Sequence, residues 1–374
     1  MKVKASVIIL NYNNYKYTIK CVKSLEKQTF KNFEIIVIDN GSNIESFRKL
    51  KQKLIPLSQK LTIRLIRINR NLYFGPGCNK GIKNARGDYI CLLNYDTIVS
   101  SNFIEEMVKF LDNNPDAGMI TPKIKINNDR RFIWNAGGFL NFRSPIVVLN
   151  RGLLEYDPLD KKYNETEKID FAPGTALFVR KEVIEKIGLI DEIYLMYHED
   201  PDWNLRAQKE GFVSYYVPKT IVFHRHSIDL KDDIKMLFWW DSDWRKSIKS
   251  KKILLHETPF TINLNSIKKK REISKNLFND HFFKRNSQIL VWKFGSFIDL
   301  LIFYFNYLKL VFLIILFNRR KIQINRLLYA IRQGFIIGVK KRTNRSCIKM
   351  LKKEYIYVRN LQYVEEKQER NQTI

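Results

Sequence analysis

The chain predicts an α/β fold: a Rossmann-like, mostly parallel central sheet with a small antiparallel extension, followed by an α-helical C-terminal region that meets a membrane. Three observations predict it. Short β-branched apolar runs alternate with helical patterns through the first 120 residues, the signature of parallel strands joined by crossover helices. The runs "SVIIL" and "EIIVI" are continuously apolar, as strands covered on both faces are. The last third is strongly basic: residues 1–240 hold 37 bases and 28 acids, whereas residues 241–374 hold 29 and 10. Such an excess suits an anionic surface.

The elements follow in order. "ASVIIL" precedes a helix from Tyr15 to Lys27, and "FEIIVID" one from Ile44 to Lys53. "LTIRLIRI" precedes a helix from Gly77 to Ala85, and "YICLL" one from Phe103 to Leu111. Between 121 and 190, "WNAGGFLNF" and "DFAPGTALFVR" look like strands broken by Gly and Pro, which predicts the partly antiparallel extension. "FVSYYVP" and "TIVFHRHS" read as two further strands. Cys21, Cys78, Cys91 and Cys347 show no paired spacing, so neither a zinc site nor a disulfide framework is indicated and a reducing cytosol is expected. The apolar run that ends at Asn11 is too short for an export signal.

In an open α/β sheet, ligands bind beyond the carboxyl ends of the strands. Those ends read "NYNN", "DNGS", "NRNLYFGPGCN" and "NYDT". Each alone is ordinary turn chemistry, but four together favour a polar ligand such as a nucleotide. No GxGxxG or Walker A pattern is present, which excludes the common dinucleotide and P-loop readings.

The ordered set "VIILNYN", "VIDNGS", "NLYFGPGCNKGIKNARGDYICLLNYDT", "APGTALFVRKEVIEKIGLIDE", "HEDPDWNLRAQKEGF" and "VFHRHS" closely resembles inverting family 2 glycosyltransferases of the GT-A fold, especially the rhamnosyltransferase-like group. The resemblance covers about the first 230 residues. It implies a catalytic domain over 1–240, with the nucleotide sugar bound in about 1–120 and the acceptor side and base in about 121–240. Residues 241–374 form the basic helical remainder. By the resemblance, Asn11, Asp39 and Ser42 meet the base and ribose of a dTDP- or UDP-sugar, and Asn71, Gly77 and Asn79 lie under the nucleoside and sugar. Asp96 falls where the family's Asp-x-Asp metal motif ends. The motif reads Asn94-Tyr95-Asp96, so its first acid is missing, and His224 matches a position able to add a ligand for Mg2+ or Mn2+. Trp134, Gly174 and Asp202 fall on the acceptor side.

In "HEDPDW", Asp200 before Pro201 suits a helix N-cap, and Asp202 can pair with Arg206 one turn on. The resemblance adds chemistry, because the family's Glu-Asp pair, which supplies the catalytic base, falls on Glu199 and Asp200. Inversion needs a base opposite the departing diphosphate that deprotonates the acceptor hydroxyl as it attacks. Asp200 is the first candidate and Glu199 the second.

Residues 294–317 are long enough to cross a bilayer, yet Ser296, Asp299, Asn306 and Lys309 fall on one side of the helix. Such a stripe fits a helix lying in the membrane interface better than a spanning one, and a second amphipathic pattern runs from Ile324 to Val339. The expected partners are therefore a nucleotide sugar, a glycan or polyprenyl-linked acceptor and a membrane surface, with the protein peripheral on the cytoplasmic face. No nucleic-acid reader module accompanies the high pI, so nucleic acid is not an expected partner. A nucleotidyltransferase is the other enzymatic alternative, and its usual Gly-rich opening loop is missing after the first strand.

Overall fold

The computed structural model describes residues 2–144, 146–225, 272–317 and 321–342. Four parallel strands open the chain: β1 (Ala5–Asn11), β2 (Phe33–Asn40), β3 (Ile63–Ile68) and β4 (Tyr89–Asn94). They lie in the order β4-β1-β2-β3. β1 and β2 are covered on both faces, and alternate residues feed two cores. Val7, Ile9, Ile35 and Val37 pack beneath α1 (Tyr15–Glu26), α2 (Ile44–Ser58) and α4 (Phe103–Asn113). Ile8, Ile36 and Ile38 face α3 (Phe74–Asn84) and α6 (Glu199–Lys209) on the other side.

The extension continues from β4. β11 (Ala176–Arg180) lies antiparallel between β4 and β6 (Ala117–Ile126), and β12 (Val213–His224) runs parallel to β6. The short strands β5 (Thr97–Val99) and β7 (Ile133–Asn135) pair antiparallel with β12 and β6. β8 (Gly138–Leu140) and β9 (Val148–Asn150) form a separate hairpin, and β10 (Glu167–Lys168) edges β12. α5 (Lys181–Ile187) follows β11.

Three boundaries differ from expectation. "FVSYYVP" and "TIVFHRHS" join into the single strand β12, whose register shifts between Val217 and Ile221. Pro218 sits in that irregularity, where a missing N–H costs no ladder bond. α2 runs past Lys53 because Leu54 and Leu57 continue its buried stripe. α3 starts at Phe74, so that Pro76 lies in the first turn, where no N–H is needed.

The C-terminal part supplies α7 (Glu272–Phe294), α8 (Phe297–Phe317) and α9 (Lys321–Arg342). The described residues up to Arg225 and from His281 onward belong to one compact unit. A third core joins them, in which Val147, Ile193 and Tyr194 pack with Ile289, Leu290, Phe303, Tyr307 and Ile337. The expected division near residue 240 and Cys347 lie outside the described residues. No helix among the described residues is long and apolar enough to cross a membrane.

Asp299 and Asn306 of the α8 polar stripe reach Arg143, whereas Ser296 and Lys309 are exposed. Ser296 and Asp299 cap the helix reciprocally, Asp299 accepts from Arg143 Nε at 2.7 Å, and Asn306 donates to the Arg143 carbonyl at 3.0 Å. Phe297, Ile298, Leu301, Phe305 and Leu308 lie on the opposite, outer side, each more than half exposed.

Candidate active site

Four strand ends and one helix start build the site. α6 begins at Glu199, with His198 as its cap in the left-handed region. Asp200 is therefore the second helical residue rather than the expected N-cap. Its Oδ2 accepts instead from the backbone N–H of Gly174, at 2.8 Å. Burial pushes the Asp200 carboxyl up to about 6, against the lowering effect of the Gly174 and Asp200 N–H groups. Glu199 is buried, with Oε2 lacking a hydrogen-bond partner. Its carboxyl is raised well above the ordinary range by burial and by the neighbouring Asp200 charge. Both carboxyls are thus raised, and the two titrate as a pair. His198 is buried and held neutral, its pKa lowered to about 3 by desolvation.

Asp202 does not face an acceptor. It is fully buried, Oδ1 takes the Tyr194 hydroxyl at 3.0 Å and Lys293, and Oδ2 takes Arg206 Nε at 2.9 Å. The expected pairing with Arg206 is present, but the carboxylate anchors α6 from within.

The loop Ala172–Thr175 ties this helix to the sheet. Asn204, a residue not singled out from the sequence, accepts from the Ala172 N–H at 3.0 Å and donates back to the Ala172 carbonyl at 3.2 Å. The Thr175 carbonyl accepts from the Asn94 N–H at 3.0 Å. One short loop therefore fixes Asp200 on one side and the Asn94-Tyr95-Asp96 corner on the other.

At that corner Asp96 Oδ1 lies 3.3 Å from His224 Nε2, because β5 and β12 pair just beyond it. That Asp96 oxygen is buried and makes no hydrogen bond. Trp134 packs edge-on against the His224 ring, with centroids 4.8 Å apart. Two protein ligands fit a hard divalent ion that takes its remaining oxygens from diphosphate and water. No group of three or more His, Cys, Asp or Glu placed to hold a metal ion occurs among the described residues.

On the nucleotide edge, Asn11 Nδ2 donates to Asp39 Oδ1 at 3.0 Å and to Ser42 Oγ at 3.2 Å, while Thr18 holds the Asn11 oxygen at 2.7 Å. Asp39 Oδ2 is buried without a hydrogen-bond partner, 3.9 Å from Arg67 Nε. Asn71 Oδ1 accepts from Asn40 Nδ2 and from the Tyr73 N–H, at 2.9 and 2.8 Å. Asn40 and Arg67 escaped the sequence reading, since an Asn at a strand end and an Arg in an alternating run carry no motif.

Two expected donor residues make packing and hydrogen-bond contacts within the protein. A Cβ on Gly77 would stand 2.7 Å from Leu10 Cδ1, so this glycine lets α3 approach β1. Asn79 is buried, accepting from the Ile190 N–H at 3.1 Å and donating to the Ile190 carbonyl at 3.0 Å. It pins the segment leading to α6. The second α3 amide is also engaged, since Gly75 donates to the Leu195 carbonyl at 3.0 Å.

Residues 6–188 match the model of Glycosyl transferase family 2. An uncharacterized glycosyltransferase of Methanocaldococcus jannaschii is 27% identical over 241 residues, which cover 59% of this chain and 79% of that protein. The amylovoran biosynthesis glycosyltransferase AmsB of Erwinia amylovora is 27% identical over 56% of this chain and 65% of its own length. An uncharacterized glycosyltransferase of Rickettsia conorii is 36% identical over 35% of this chain, and the match spans only 21% of that protein. Among solved structures, GalNAc-T7 with UDP, GalNAc and Mn2+ aligns with a TM-score of 0.52 at 19% identity, over 61% of this chain and 44% of that one, which is a likeness of fold. The strand order and the polar strand ends agree with the similarity of residues 6–188 to glycosyl transferase family 2.

Proposed function

We propose that the protein transfers a sugar from a nucleoside-diphosphate sugar to a hydroxyl of a glycan or lipid-linked acceptor, with inversion, using Asp200 as general base. The observation that carries this reading is the pair at the start of α6: Asp200 fixed by the Gly174 N–H with its carboxyl raised to about 6, beside a buried Glu199 whose carboxyl is raised well above the ordinary range. A base with a pKa near the working pH combines availability with driving force, and such placement contributes about 10² to 10⁴ in rate. Asp39 Oδ2 is the open acceptor for a ribose hydroxyl of a UDP- or dTDP-donor. Asp96 and His224 would hold Mg2+ or Mn2+, which when bound offsets charge growing on the leaving diphosphate. That GalNAc-T7 binds UDP and Mn2+ is consistent with this assignment, and AmsB's role in amylovoran biosynthesis is consistent with a glycan acceptor. Rhamnose remains the first donor sugar to test, on the strength of the sequence resemblance.

The outer face of α8 is the proposed membrane contact, on the cytoplasmic side. Its five exposed apolar residues lie on one side of a helix whose Asp299 and Asn306 reach Arg143, the arrangement of an interfacial helix. Phe305→Ser with Leu301→Ser is expected to lower co-sedimentation with anionic vesicles at least tenfold. Unchanged sedimentation sinks the membrane assignment. The transfer reading is tested with a panel of UDP- and dTDP-sugars, scored by release of nucleoside diphosphate with and without chelator. Cleavage within the diphosphate instead would mean a nucleotidyltransferase.

A further inference from the structure

The segment that leads into the catalytic pair lies beyond the family match, which ends at residue 188. It holds Leu195, Tyr197 and His198 at φ values of 60°, 65° and 68°. Non-glycine residues stay in the left-handed region only where their surroundings over-determine them. Here the surroundings come from α7, about 90 residues away in sequence. Four consecutive polar residues of α7, Arg285, Asn286, Ser287 and Gln288, are buried, and buried polar groups need partners.

Three of them find partners on the loop. Arg285 Nη2 donates to the Ile193 carbonyl at 2.8 Å. Asn286 Nδ2 faces the carbonyls of Tyr194, Met196 and Tyr197 at 3.0, 2.9 and 2.7 Å. Ser287 Oγ lies 3.2 Å from His198 Nε2. Arg285 also donates to the Asn286 side-chain oxygen, which turns the amide hydrogens toward the loop. Phe283 packs against the rings of Tyr197 and His198 at 5.3 and 4.8 Å.

We infer that Asn286 is a positioning residue for the transfer reaction. By gathering the three carbonyls it locks the left-handed loop, and so fixes the direction in which Glu199 and Asp200 leave it. A space-filling residue could not do this, because the carbonyls need a donor. The catalytic half of the inference rests on Asp200 being the base, whereas the clamp rests on geometry alone.

The test uses the full chain and two variants, Asn286→Ala and Asn286→Leu, the second restoring bulk without donors. Amide hydrogen exchange across residues 193–200 is expected to quicken at least tenfold in both, with β1 to β4 unchanged. With a UDP- or dTDP-sugar that the native chain turns over, kcat is expected to fall at least tenfold while the donor KM stays within twofold. Unchanged exchange, native kcat, or rescue by leucine overturns the inference. Should both variants fail to fold, Ser287→Ala, which removes only the His198 contact, is expected to move both readouts in the same direction by a smaller factor. No movement in either overturns the inference equally. Full turnover in Asp200→Asn together with a loosened loop in Asn286→Ala would remove the base and leave the clamp. The opposite pair of results would do the reverse.

Discussion

The nucleotide edge and the base edge of the cleft hold their carboxylates by different means. Asp39 sits at the end of β2, a strand covered on both faces, and its fixing partner Asn11 ends the adjacent strand in register with it. Asp200 is the second residue of a helix entered through three left-handed residues, and its fixing contacts come from Gly174 and, through the loop, from α7. The sheet places the first group with local contacts. The second depends on contacts from distant parts of the chain, and left-handed residues cost about 1 to 3 kcal/mol each. Position on the base edge is therefore the more fragile of the two.

Substitutions can sharpen that contrast. The largest expected effect is in Asp200→Asn, which is expected to lower kcat by about 10² to 10⁴ while leaving nucleoside-diphosphate binding intact. Near-native turnover removes Asp200 from the chemistry. Chelation is next: turnover is expected to drop roughly 10²-fold and return with Mn2+, in keeping with the several kcal/mol that a Lewis acid supplies. Activity indifferent to chelator would leave Asp96 and His224 without a metal role.

The acid limb of kcat/KM is expected near pH 6, where Asp200 ionises, with the rate falling about tenfold per unit below it. The same shift has a stability consequence of definite sign. A carboxyl whose folded pKa is raised makes the folded state less stable as pH rises from about 4 through about 6. Asp200→Asn should therefore unfold at higher urea than the native chain at pH 7, an advantage that disappears below pH 4. Asn204→Ala strips partners from the buried Ala172 amide and carbonyl, and is expected to cost about 1 to 3 kcal/mol in urea unfolding. The smallest effect belongs to Gly77→Ala. Leu10 must give way to the new Cβ at a cost of about 1 kcal/mol or more, partly offset by helix propensity, and nucleoside-diphosphate affinity is expected to stay within twofold.

The sequence revealed the two edges unequally for a physical reason. Buried parallel strands announce themselves as unbroken apolar runs, so β1, β2 and β4 were legible, and so was the edge where they end. Asn11, Asp39 and Ser42 do converge there. The packing roles of Gly77 and Asn79 were not legible, because a glycine or amide at a helix start looks the same whether it meets a ligand or packs against a neighbour. Asp202 was misplaced because nothing local shows that Tyr194 and Lys293 would enclose it. The run "RNSQ" in α7 carried a signal, four polar residues where an amphipathic helix alternates, but it resembles a solvated face until the loop it grips is known.

A fragment ending at Arg225 would contain the whole segment that matches the family model, and would look like a sensible unit for expression or for exchange between relatives. It would also strand the carbonyls of Ile193, Tyr194, Met196 and Tyr197 and leave Asp202 buried without Lys293. Chimeras of this protein should therefore keep both ends from one parent, because the helix that grips the loop before Glu199 and Asp200 is encoded far downstream of the recognisable part.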